Sequence, residues 1–203
     1  MKTAITLSVT VLIALLGYVA TYLNSLRLTQ RKTRVERINR QLQELYGPLF
    51  SLVRASTTTW DAFRQSGTRR GPFWTVDDPP TKEEAAEWRL WMTSVFAPLN
   101  ERMLEVVVEH ADLLDEPEMP NCLLALCAHV SAYRSVLKRW EQGDYTVHRS
   151  VINFPREELL SYTESTFKRL KAEQAKLLGQ RPEQPWSNKR LHPGSIRFVN
   201  RHE

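Results

Sequence analysis

The chain has 203 residues, 42% of them hydrophobic and 25% charged, with 28 Lys and Arg against 23 Asp and Glu, a formal net charge of +5 and a pI near 9.4. That balance points to nucleic acid only until it is located: residues 1–40 carry +6, residues 41–179 carry −4 and residues 180–203 carry +3. The middle of the chain is mildly acidic and lacks the clustered basic face that phosphate binding requires, which argues against nucleic acid as a partner.

Residues 4–23 contain no charge, and six basic residues follow before residue 41, namely Arg27, Arg31, Lys32, Arg34, Arg37 and Arg40, with Glu36 the single acid among them. About 20 apolar residues at about 1.5 Å each cover the roughly 30 Å of bilayer hydrocarbon, so residues 1–24 are predicted to be a single transmembrane anchor. A cleaved signal fits less well, since only Lys2 precedes the apolar core and Tyr18, Tyr22 and Asn24 occupy its exit. By the positive-inside rule the amino terminus lies outside and everything after Asn24 is cytoplasmic, on the inner (plasma) membrane of a cell of bacterial type. Residues 25–40 then form a basic juxtamembrane stalk attracted to anionic lipid, at about 1 kcal/mol per basic residue. Gly17 and Thr21 form a small-xxx-small pair, a weak mark of helix association in lipid.

The remainder reads as helix. Val35, Ile38, Leu42, Leu45, Leu49 and Leu52 alternate spacings of three and four, and Ser56, Trp60 and Phe63 continue the line, so the anchor is expected to run on into the first helix of a bundle. Gly47 and Pro48 predict a kink or short break. Residues 64–80 form a loop; Thr81 with Glu84 then has the form of a capping box. The helix it opens carries Ala85, Trp88, Met92, Val95, Leu99, Met103, Val106, His110 and Leu113 on one line, with Pro98 inside it, and an acidic connection follows at 115–120. From Asn121, two stripes are expected to make the next helix the most buried: Leu123, Leu126, Val130, Tyr133, Leu137 and Trp140, and beside them Cys122, Ala125, His129, Ala132 and Val136. Gly143 suits its stop. A polar connection leads to Pro155, then a last helix through Leu160, Phe167, Leu170 and Leu177 to Gly179. The prediction is an all-α chain: an antiparallel four-helix bundle over residues 41–179, continuous with the anchor, and a flexible basic tail over residues 180–203.

Candidate chemistry is sparse. Cys122, Cys127 and His129 offer soft ligands, but Cys127 is turned about 160° from His129 on a helix, against the convergence that zinc needs. Glu109, His110 and Asp112, with His129 elsewhere, are the remaining polar-site candidates; the Glu-x-x-His spacing of di-iron bundles is absent, and no metal or cofactor is expected. Residues 197–202, RFVNRH, resemble the R-x4-H motif of HEPN-type helical ribonucleases over those six residues; in that family the motif sits on a bundle helix, whereas Arg197 and His202 fall in the proline-broken tail. No Walker loop, G-x-S-x-G elbow or H-E-x-x-H motif occurs. Trp60, Phe73, Trp74, Trp88 and Trp91 form an aromatic group that either caps the open end of the bundle or makes a partner interface. The favoured reading is a non-enzymatic protein-interaction or scaffold module whose partner is an unidentified protein or a second copy. The alternatives are an enzyme or toxin-like effector with a site near His110 and His129, and an anionic-membrane-surface sensor using the basic segment.

Overall fold

The computed structural model describes the backbone of residues 2–66, 73 and 77–180, and the side chains of residues 15–66, 73 and 77–180. Its helices are α1 (Lys2–Arg40), α2 (Gly47–Ser66), α3 (Lys82–Trp91), α4 (Ala97–Glu109), α5 (Asn121–Glu141) and α6 (Arg156–Leu177); no strand occurs among the described residues.

Instead of breaking at Gly47 and Pro48, the first helix widens. Gln41–Tyr46 form a π turn in which the Gly47 N–H bonds to the carbonyl of Leu42, five residues back, so α1 passes into α2 as one rod. The cause is local: Pro48 has no N–H to give, and in α geometry its ring would press on the carbonyl four residues earlier. Glycine is required beside it, because a Cβ on Gly47 would sit 2.3 Å from the Leu42 carbonyl oxygen. The device recurs in the second helix. Met92–Phe96 form another π turn, closed by Ala97 N–H to Met92 O, again two residues before a proline, here Pro98. Thus α3 and α4 join into one rod as well.

The ends of the rods follow their sequence signals. Thr81 accepts the Glu84 N–H at 3.2 Å while the Glu84 carboxylate accepts the Thr81 N–H at 2.8 Å, completing the capping box. Gly143 and Gly179 adopt φ of +77° and +71°, each in a Schellman turn: Asp144 N–H reaches Arg139 O and Gln180 N–H reaches Ala175 O, both at 2.9 Å.

Four rods pack antiparallel. The α1–α2 rod meets α6 through Arg34–Glu173 (2.8 Å), the Tyr46 and Tyr162 hydroxyls (3.1 Å) and stacked Phe50 and Phe167. It meets the α3–α4 rod through Gln41 Nε2 to Leu113 O (2.9 Å) at one end and Phe63 against Trp88 at the other. Arg134 and Glu101 join α5 to α4 at 2.6 Å. The interior divides in two. An aliphatic cluster around Leu45, Leu49, Met103, Leu123, Leu126, Leu159 and Leu170 fills the half near the start of the bundle. An aromatic cluster around Phe63, Phe73, Trp88, Phe96, Tyr133 and Trp140 fills the far half.

Packing begins before residue 41. Ile38 is fully buried, Arg31 Nε donates to Leu177 O at 2.8 Å across the carboxyl end of α6, and Arg34 pairs with Glu173. Upstream, every described side chain from residue 15 to 34 is exposed. Among the described residues no helix is long and apolar enough to cross a membrane. The charge-free run predicted to do so falls largely on positions whose side chains lie outside the described set, as does the tail from residue 181.

Candidate functional site

The aromatic half of the bundle does not close on itself. It encloses a pocket of about 330 Å³, within the range of small-molecule sites. The α2 helix contributes Ser56, Thr57 and Trp60; α3 and its π turn contribute Trp88, Met92 and Phe96; α4 contributes Asn100, and α5 His129 and Tyr133.

The roof is the connection between α5 and α6, held by the polar ends of aromatic side chains. Trp88 Nε1 and the Tyr133 hydroxyl both donate to His148 O, at 3.2 and 3.0 Å, and Trp140 Nε1 donates to Val147 O at 2.8 Å. His129 Nδ1 lies 2.6 Å from Ile152 O. Since a carbonyl can only accept, Nδ1 carries the proton; burial pushes the His129 pKa below its ordinary value, so the ring is neutral. Burial likewise raises the Tyr133 hydroxyl well above its usual range, keeping it a donor. These bonds present Arg149, Ser150, Ile152, Asn153 and Phe154 at the mouth.

Asn100 Oδ1 and the Arg149 guanidinium are polar groups of this lining that meet no partner among the described residues. Asn100 is 5% exposed, and its Oδ1 meets no donor among the described residues. A buried acceptor left in that state costs about 1–3 kcal/mol. Arg149 is exposed and makes no ion pair among the described residues, whereas Arg156 is bonded to Asp61. No Asp or Glu lines the pocket.

The other candidates are dispersed. His110 Nδ1 is 3.7 Å from Glu44, Asp112 is 3.6 Å from Arg40, Glu109 is exposed, and His129 lies in the other half of the bundle beneath the roof. Among the described residues no group of three or more His, Cys, Asp or Glu could hold a metal. Cys122 and Cys127 are free, with thiol pKa values raised by burial, the protonation state least suited to attack or ligation. Of the aromatic group, Phe73 and Trp88 are buried, Trp60 and Trp91 half-buried, and Trp74 lies outside the described residues, as do Arg197 and His202. Trp60 and Trp88 are walls of the pocket. Of the basic cluster, Arg31, Arg34, Arg37 and Arg40 all reach protein acceptors, Arg37 to Leu114 O at 3.4 Å; Lys32 approaches Glu36 on its own helix, at 3.9 Å.

Asn100 and Arg149 are absent from the sequence-based candidates. The π turn explains the first. An uninterrupted α register from Met92 buries Val95 and Leu99, but the extra residue turns Phe96 and Asn100 inward and leaves Val95 and Leu99 only partly covered. A signal existed in the spacing Met92, Phe96, Asn100, Met103, which places a carboxamide on an apolar stripe. Arg149 sits in a loop with no periodicity to read. Comparison of the chain with models of protein families, with curated proteins and with solved structures finds no match.

Proposed function

We propose that the protein is a single-pass membrane protein that carries its helical bundle on the cytoplasmic side and works by binding another protein or a second copy of itself rather than by chemistry. The observation that supports this is the free part of α1. Leu15, Leu16, Tyr18, Val19, Tyr22 and Leu23 are all 47% exposed or more, and the sequence is charge-free from residue 4 to 23. At about 100° per residue these six side chains fall within an arc of about 160°, and the positions on the other side of the same stretch, Gly17, Ala20 and Thr21, are small and uncharged, so no face of it carries a charge, which suits lipid. Within the run the described Thr21 hydroxyl bonds to its own helix, at Gly17 O, and just beyond it Ser25 bonds to Tyr22 O and Thr29 to Ser25 O, each at 2.9 Å. Internal satisfaction of this kind is what hydrocarbon demands. Gly17 has no neighbour within 4 Å, leaving room for a second helix to approach closely beside Thr21.

Carboxyl-terminal fusions test the orientation. A green fluorescent protein fusion should fluoresce and stay in the membrane pellet after carbonate extraction, and an alkaline phosphatase fusion should be inactive. An active phosphatase fusion, or release by carbonate, contradicts the proposal. For the binding role, cross-linking in intact cells should give discrete adducts of the full chain, and recovery of uncross-linked monomer alone would remove it.

A further inference from the structure

We propose that the pocket beneath the α5–α6 connection is a binding site for a small aromatic carboxylate bearing a ring N–H or O–H donor, a reading independent of the membrane assignment. Three features of the site select that chemistry. Its walls are rings, Trp60, Trp88, Phe96, Tyr133 and Phe154, and about 330 Å³ accommodates a one- or two-ring body. Rings of this kind take another ring edge-on or offset; Trp60 already meets Trp88 at 87° and Phe96 at 65° in that manner.

The second feature is Asn100. Asn100 lines the pocket, and its Oδ1, buried behind that lining, meets no donor among the described residues. Three donors of the same lining are committed elsewhere: Tyr133 and Trp88 to His148 O, and His129 Nδ1 to Ile152 O. A ligand donor satisfies Asn100 where the protein does not. The third feature is charge. Two guanidinium groups stand at the mouth, no acid lines it, and Asp61 already occupies Arg156, which leaves Arg149 as a planar fork matched to a carboxylate. An aliphatic acid satisfies the charge but not Asn100 or the rings.

Tryptophan fluorescence and titration calorimetry on the whole 203-residue chain, in nanodiscs or in mild detergent, test the assignment, since Trp60 and Trp88 report directly from the wall. The probes are benzoate, indole-3-carboxylate and naphthalene-carboxylate, with indole-3-carboxamide, 1-methylindole-3-carboxylate and octanoate as discriminating controls. Indole-3-carboxylate should bind saturably. The carboxamide should bind about tenfold or more weakly, and Arg149→Gln should cause the same loss for the carboxylate with unchanged melting, because Arg149 is exposed. Methylating the ring nitrogen should weaken binding to the wild type but not to Asn100→Leu. Absence of saturable binding by all three aromatic carboxylates, equal binding of the carboxamide, indifference to Arg149→Gln, or binding of octanoate as tight as that of indole-3-carboxylate would each overturn the proposal.

Discussion

Replacing Gly47 by alanine is a single-methyl change that the π turn cannot absorb. An ideal Cβ there lies 2.3 Å from the Leu42 carbonyl oxygen, well inside the 3.0 Å that real Cβ atoms keep, and the obstructing atom is backbone rather than the end of a pliable side chain. Relief requires moving the turn itself. The turn cannot simply tighten to α register, because its own residues and those on both sides are fixed: Ile38 before it, Leu42, Leu45 and Tyr46 within it, and Leu49 and Val53 after it all lie in the aliphatic cluster. A shift of the rod at this point disturbs that cluster, and the overpacking cost is about 1–3 kcal/mol. Alanine's better helix propensity returns about 1 kcal/mol, since Gly47 has ordinary helical dihedrals of −67° and −55°. Because the obstructing atom is backbone at 2.3 Å, the upper end of the overpacking range applies, and the expected net loss is about 2 kcal/mol, which lowers the melting temperature by roughly 4–8 °C for a chain of this size. Urea unfolding followed by circular dichroism measures it. Gly17→Ala is the control, because a Cβ at Gly17 meets nothing within 4 Å. If Gly47→Ala is as stable as wild type, or more so, the geometry assigned to the turn is wrong.

Three further outcomes follow from the packing. A chain beginning at residue 41 should be less stable than one beginning at residue 25 by about 3 kcal/mol in urea unfolding, because it loses buried Ile38 and the Arg31 and Arg34 contacts to α6; equal stability would mean the bundle does start at 41. Asn100→Leu should raise the melting temperature, since it replaces a buried acceptor without a donor by an apolar group of similar size; a fall shows that the carboxamide is supporting the fold. The pH dependence has a definite sign. Burial lowers the pKa of His129, and burial with Arg89 lowers that of His148, so the unfolded chain takes up protons near the ordinary value of 6.5 while the native chain resists. Stability is therefore full above about pH 6.5 and declines as pH falls below it toward the native values. Melting curves from about pH 7.5 to 5.5 should show that decline, reduced in His129→Gln relative to its own value at neutral pH; an identical slope would remove His129 from the account.

The features legible in the sequence are those whose cause is local. Thr81 and Glu84 sit three apart and cap each other; Gly143 and Gly179 follow the last periodic residues and take the positive φ that glycine accepts without strain. The four rods and their antiparallel order follow from the same periodicity. The two π turns escaped because Pro48 and Pro98 lie in phase with their apolar lines, and phase alone does not say whether a helix breaks, bends or widens. That one ambiguity hid Asn100, whose inward turn depends on a single added residue. The roof was hidden for another reason: Trp88, Tyr133, Trp140 and His129 read as apolar stripe members, yet their polar ends hold a loop that carries no pattern of its own. The basic segment combined both effects. Its charge was plain, but Arg31 and Arg34 find α6 only once the last helix folds back alongside them.

The most direct test of a membrane-spanning helix continuous with the bundle is a nitroxide scan of residues 4–30 in liposomes, with Cys122 and Cys127 replaced by serine. Each label reports collision with oxygen, which concentrates in hydrocarbon, and with a water-soluble nickel chelate, which is excluded from it. The account predicts oxygen access and nickel exclusion at every position across the apolar run, deepest near its middle, with nickel access returning from about Arg27 onward while the spectra remain those of an ordered helix. Alternation of the two signals with a period of about 3.6 residues would contradict it, because a helix lying on the surface keeps one face in water.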